Sequence, residues 1–120
     1  MDSNLVWLEL ASDDLARSGQ FWADLFGWKV SESGPSLSAT IGVIQDLGAS
    51  IKENPGRGHV PSHWTPFIEV SDVRTATEKA RGLGATVLYE VHNLADGGGA
   101  ASTILDPTGA PLSLWQRVTG

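Results

Sequence analysis

Residues Val6–Gly27 read VWLELASDDLARSGQFWADLFG, and a change of period inside them sets the fold. Val6, Leu8 and Leu10 alternate with Trp7 and Glu9, which makes a strand with one apolar face. Ser12 and Asp13 follow as helix N-caps, and from Leu15 the spacing turns helical through Ser18, Trp22 and Leu25 until Gly27 offers a stop. Residues Thr65–Gly84, TPFIEVSDVRTATEKARGLG, repeat this plan. Pro66, Ile68 and Val70 alternate, Ser71-Asp72 caps, and Val73, Ala76, Ala80 and Leu83 carry the helical stripe to Gly84. At an offset of 58, Asp14-Leu15 falls on Asp72-Val73 and Leu25 on Leu83, and Gly27 meets Gly84 after one residue drops out.

Outward from each strand-helix start, short strands are expected at Trp28–Val30, Ser38–Gln45 and Ser50–Lys52, then at Thr86–Val91, Ala101–Leu105 and Leu112–Trp115. Ser31-Glu32-Ser33-Gly34-Pro35, Asp46-Leu47-Gly48 and Asp106-Pro107-Thr108-Gly109 read as turns. Each half is therefore a β-α-β-β-β module. The stretch Asn54–Ser62, with Pro55, Gly56, Gly58 and Pro61, reads as a linker between module one, about residues 1–54, and module two, about 63–120.

A chain of 120 residues with 41% apolar content suits one domain over 1–120, too small for two independent cores. Without cysteine there is no disulfide, no thiolate zinc site and no catalytic thiol, and no basic-then-apolar leader opens the sequence, so a cytoplasmic setting is expected. A net charge of −6 with no Lys/Arg cluster argues against nucleic acid as a partner, and the lack of a long apolar run argues against membranes. Five tryptophans are a heavy load, fit for a core or for a pocket that takes flat organic ligands.

Trp7-Leu8-Glu9-Leu10, Leu25-Phe26-Gly27-Trp28, Trp64-Thr65-Pro66-Phe67-Ile68 and Asp106-Pro107-Thr108-Gly109-Ala110, in this order and with the repeat, resemble the vicinal oxygen chelate superfamily of glyoxalases, bleomycin-resistance proteins and dioxygenases. The resemblance implies an α+β fold in which two β-α-β-β-β modules form a curved mixed sheet around a cleft, with the helices outside. It also implies a homodimer. With Val6, Leu8 and Leu10 beneath the first helix and Pro66, Ile68 and Val70 beneath the second, strand parity turns Trp7, Glu9, Thr65, Phe67, Glu69, Ser113 and Trp115 toward the cleft.

Metal-dependent members of the superfamily place His, Gln or Glu at one inward position on the first and last strand of each module. The matching positions here are Trp7, Lys52, Thr65 and Ser113, with Lys52 found by aligning Asp46-Leu47-Gly48 with Asp106-Pro107-Thr108-Gly109 across a one-residue gap. Indole and ammonium do not ligate a cation and hydroxyls are feeble ligands, so neither a metal nor another cofactor is expected. His59 and His63 stand four apart but flank Pro61 in a loop, and His92 stands alone at a strand end. Asp96-Gly97-Gly98-Gly99 lacks the following helix and Lys of a phosphate cradle and reads as a mobile loop beside the cleft.

Trp7, Glu9, Thr65, Phe67, Glu69, Ser113 and Trp115 are the candidate ligand contacts, with Glu9 and Lys52 as candidate catalytic groups. Enclosure near Trp7 would raise the pKa of Glu9 toward that of a general base, whereas a neighbouring Lys52 would oppose the rise. Trp22, on the helical stripe, belongs to the core; Trp28 fits either role; Trp64 either caps the cleft or braces the module junction. The leading function is metal-free binding of a flat apolar or aromatic compound. The alternatives are a metal-independent isomerase, cyclase or lyase of specialised metabolism using Glu9 as acid/base, and a metal-dependent glyoxalase or dioxygenase.

Overall fold

The computed structural model describes residues 4–33, 36–40, 48–94 and 97–118. The strands are β1 (Asn4–Ser12), β2 (Lys29–Ser33), β3 (Ser36–Thr40), β4 (Gly48–Glu53), β5 (His63–Glu69), β6 (Thr86–Asn93), β7 (Ala100–Leu105) and β8 (Pro111–Gln116). The helices are α1 (Leu15–Phe26) and α2 (Val73–Gly82). Two compact units form, one spanning Val6–Thr65 and the other running from Pro66 onward together with the first residues of β1.

In the Val6–Thr65 unit the strand order is β2-β3-β4-β1, with β1 and β4 parallel and the other pairs antiparallel. Leu10, Trp22, Ala49 and Ile51 form the core, and Leu8, Leu15, Trp28, Val30 and Leu37 pack around it. Helix and sheet approach closely because residue 19 is Gly: a Cβ there would lie 3.0 Å from Leu37 and 3.2 Å from Val30. The unit from Pro66 repeats the plan as β5-β8-β7-β6, with β5 and β8 parallel. Its core is Val70, Val73, Ile104 and Leu114. Beneath α2 the Thr77 hydroxyl donates to Val73 O at 2.6 Å and meets Ser102 Oγ at 2.8 Å, so two buried hydroxyls are satisfied together.

Both helices begin and end as the repeat requires. Asp14, rather than Ser12 or Asp13, caps α1 by accepting from Arg17 N at 3.1 Å, and Asp72 caps α2 from Arg74 N and Thr75 N. Ser12 instead supports that turn, its hydroxyl accepting from Asp14 N. Gly27 closes α1 with φ of 72° and Gly84 follows α2 with φ of 102°, conformations that a side chain would strain. The last member of each helical stripe is not core: Leu25 and Leu83 are 59% and 71% exposed, because burial under each helix ends before its final turn.

Two further readings change. Ser31–Ser33, expected as a turn, continue β2, because ladder pairing with β3 holds out to Ser33 and Ser36. The stretch read as a linker is a folded turn organised by Asn54, which is only 4% exposed. Its amide donates to Asp13 Oδ1 and Val60 O, and its Oδ1 accepts from Gly56 N. The expected strand residues 41–45 and the start of the Asp46-Leu47-Gly48 turn lie outside the described residues.

Candidate functional site

In the Val6–Thr65 unit, Leu8, Leu10, Ala49 and Ile51 turn toward α1, which leaves Trp7, Glu9, Ser50 and Lys52 on the opposite face of β1 and β4. They form a continuous ladder. The Trp7 indole N–H donates to Ser50 Oγ at 2.8 Å, Ser50 Oγ approaches Glu9 Oε2 at 3.4 Å, and Glu9 Oε1 pairs with Lys52 Nζ at 3.1 Å. The Glu9 side chain is 19% exposed and that of Lys52 40%, so the carboxylate is the more enclosed partner. Trp7 takes its place because Gly48, its partner in register, has no side chain: a Cβ there would fall 2.1 Å from the indole.

In the other unit Phe67 and Glu69 of β5 share a face with Ser113 and Trp115 of β8. Ser113 is buried and its hydroxyl meets Thr103 Oγ1 at 2.8 Å. The Trp115 indole N–H donates to Gly98 O at 2.6 Å, and the Arg117 guanidinium lies 5.9 Å from the indole centroid. Arg117 also grips Glu69 through Nε and Nη2, the latter at 3.0 Å. Those hydrogen bonds hold the Glu69 carboxyl below the usual carboxylate range, ahead of the smaller opposing effect of desolvation. Thr65, the remaining candidate, is a buried residue of β5.

Strand register corrects one assignment. Glu9 pairs with Ser50 in β1/β4, and Phe67, its repeat equivalent, pairs with Ser113 in β5/β8. Ser50 is thus the counterpart of Ser113, and Lys52 that of Trp115. The gapped turn match was displaced by two residues, whereas ladder hydrogen bonds admit no such slip. Ser50 was missed because a strand serine carries no chemical signature, although its shared parity with Lys52 marked the same face.

The superfamily's metal does not fit these residues. Trp7 offers an N–H donor, Ser50 and Ser113 hold hydroxyls already engaged with neighbours, and Thr65 adds a weak neutral oxygen. Among the described residues no three His, Asp or Glu side chains converge as a metal-binding group. His59 lies in the Asn54 turn, exposed. His63 opens β5 with Nδ1 near Pro61 O, so the two histidines share no helix face. His92 is an exposed residue within β6, which runs past the expected end.

The glycine-rich stretch is tied to β8 where described. Gly98 O accepts from Trp115, Gly99 O accepts from Leu94 N, and a Cβ on Gly99 would fall 2.2 Å from Gln116 O. Trp22 is core, as expected. Trp28 meets it edge-on at 5.4 Å, and Trp64 stacks on it at 4.8 Å on the α1 side. A hollow of about 440 Å³ lies on this side too, lined by Asp13, Arg17, Phe21, Trp22, Ser62 and Trp64 among others. Asp13 and Ser62 there are bonded to each other, and Asp14 is committed to the helix cap. The candidate site is the Trp7 face, where the expected residues Trp7, Glu9 and Lys52 come together through Ser50.

A family model described as a glyoxalase-like domain matches residues 7–115. The chain is 30% identical over 117 residues to the putative glyoxylase CFP32 of Mycobacterium tuberculosis (strain CDC 1551 / Oshkosh), covering 92% of this chain and 44% of that protein. It is 26% identical over 128 residues to the anthracycline biosynthesis protein DauV of Streptomyces sp. (strain C5), covering 93% and 46% respectively. The chain therefore spans less than half the length of these curated relatives. The Mn(II)-bound glyoxalase from Novosphingobium aromaticivorans superposes with a TM-score of 0.68 at 14% identity, over 98% of this chain and 41% of that one, a likeness of fold.

Proposed function

The chain belongs to the glyoxalase-like domain family of the vicinal oxygen chelate superfamily, and from that premise we propose that it binds a small molecule without a metal. The ligand is a flat, largely apolar or aromatic compound, as in the drug-sequestering branch of the superfamily. The observation that carries this reading is the Trp7–Ser50–Glu9–Lys52 ladder, which puts an aromatic face beside a fixed charge pair at positions unsuited to a cation. Thr65, Phe67, Glu69, Ser113 and Trp115 are the further ligand contacts in this reading. A homodimer in the cytoplasm completes it. Exposed Phe21, Leu25 and Phe26 on α1 fit burial against a second copy, and the lack of cysteine fits a reducing compartment.

Native mass spectrometry of the freshly purified protein tests the reading, with a co-purified organic ligand, no stoichiometric metal and a dimer mass as the expected result. Stoichiometric metal lost together with activity on chelation would overturn it. The similarity to an anthracycline biosynthesis protein supports a second reading, a metal-independent enzyme of specialised metabolism with Glu9 as acid/base and Lys52 or Ser113 stabilising developing charge. Under that reading Glu9→Gln abolishes turnover while ligand affinity stays nearly the same; parallel losses in both would give Glu9 a binding role rather than an acid/base one.

A further inference from the structure

On the Trp7 face the polar side chains described on β1 and β4 are linked to one another. The Trp7 N–H is spent on Ser50, so the indole offers a ligand only its ring. The Glu9 carboxylate pairs with Lys52 and is approached by the Ser50 hydroxyl, and with its side chain 19% exposed it is the less accessible partner of the pair. Lys52 has three N–H donors, meets Glu9 with its ammonium, and is the more exposed of the pair. The accessible member of the pair is therefore an ammonium donor beside an aromatic face. The unit from Pro66 shows the same arrangement independently. There the Trp115 N–H is spent on Gly98 O, and Glu69 is held by Arg117, whose side chain is 67% exposed and lies over the indole ring.

We infer that the ligand is a planar aromatic compound carrying an acidic oxygen, a carboxylate or phenolate, and that Lys52 meets this oxygen while Glu9 serves as the counter-ion that orients Lys52. The inference rests on the reading that the Trp7 face holds the ligand. A cationic amine meets the wrong sign at Lys52 and finds Glu9 the more enclosed partner. An anion gains a charge-assisted hydrogen bond and keeps its ring on the indole.

Three probes of one shape and different charge test this with the full chain: naphthoate, naphthylmethanol and naphthylmethylamine, titrated by calorimetry. The acid is expected to bind about tenfold more tightly than the amine, the ratio that one hydrogen bond to a charged group supports. Lys52→Met brings that ratio to about one or below, since it also leaves the Glu9 carboxylate unpaired for the amine, and raising salt from about 0.02 M to about 0.5 M shrinks it in the unaltered protein. The salt series decides the matter even if Lys52→Met misfolds. Amine bound as tightly as acid, or a ratio insensitive to both salt and Lys52→Met, overturns the inference while the binding role stands. Failure of all three probes to bind, or affinities untouched by Trp7→Ala, overturns the binding role on this face and the inference with it.

Discussion

Replacing Gly48 by alanine should damage the Trp7 face through a single methyl group. The new Cβ would sit 2.1, 2.6 and 2.9 Å from three indole carbons of Trp7, separations that no small relaxation removes. The indole must swing away, breaking its 2.8 Å bond to Ser50 Oγ. Overpacking of this kind costs about 1–3 kcal/mol, and a lost hydrogen bond about 0.5–1.5 kcal/mol. Against that, alanine in a strand gains about 0.5–1 kcal/mol over glycine. The net expectation is a loss of about 2 kcal/mol, or a urea midpoint lowered by about 1 M in far-ultraviolet circular dichroism. In a Trp7→Ala background the clash is gone and only the backbone gain remains, so Gly48→Ala should become neutral or stabilising by about 0.5 kcal/mol. Equal costs in the two backgrounds would show that the indole does not rest on residue 48.

Ile51 is fully buried between β4 and α1, and Ile51→Ala should cost about 2–5 kcal/mol in urea unfolding; a loss below about 1 kcal/mol would mean that the core readily collapses around the gap. Thr77→Val should cost about 1–3 kcal/mol because it strips the buried Ser102 hydroxyl of its partner, and adding Ser102→Ala should recover much of that loss, as a double-mutant cycle can read. The Asp72 carboxyl is lowered first by the hydrogen bond from the Thr75 backbone N–H, and the Asp106 carboxyl first by the Thr108 hydroxyl. A lowered folded-state pKa contributes stability that is present above the unfolded value of about 3.9 and lost as pH falls through the folded value. Asp72→Asn keeps a capping oxygen but cannot titrate, so its stability should fall less steeply than that of the unaltered protein between about pH 5 and about pH 2; identical acid limbs would show that Asp72 plays no part in acid unfolding.

The sequence alone determined the repeat, the two helix starts and the faces of β1 and β5. These follow from periodicity, and a strand with one buried face leaves its residues a single choice of direction: Leu10 faces α1, and Trp7 and Glu9 take the opposite face as parity demands. Three of the four positions that the resemblance matches to metal ligands, Trp7, Thr65 and Ser113, were also legible by strand parity in the sequence. Register lay beyond it. Ser50 rather than Lys52 is the repeat counterpart of Ser113 because parallel ladder hydrogen bonds join residues far apart in the chain, and a short turn motif with a gap does not fix that pairing. The same limit hid the Asn54 turn, which reads as linker by its Pro and Gly until one buried amide is seen to tie it to Asp13 and Val60. It also hid the state of Glu9. Whether a strand carboxylate stands free or is held by a cation depends on which side chain the neighbouring strand sets beside it, and only the tertiary structure brings Lys52 to within 3.1 Å.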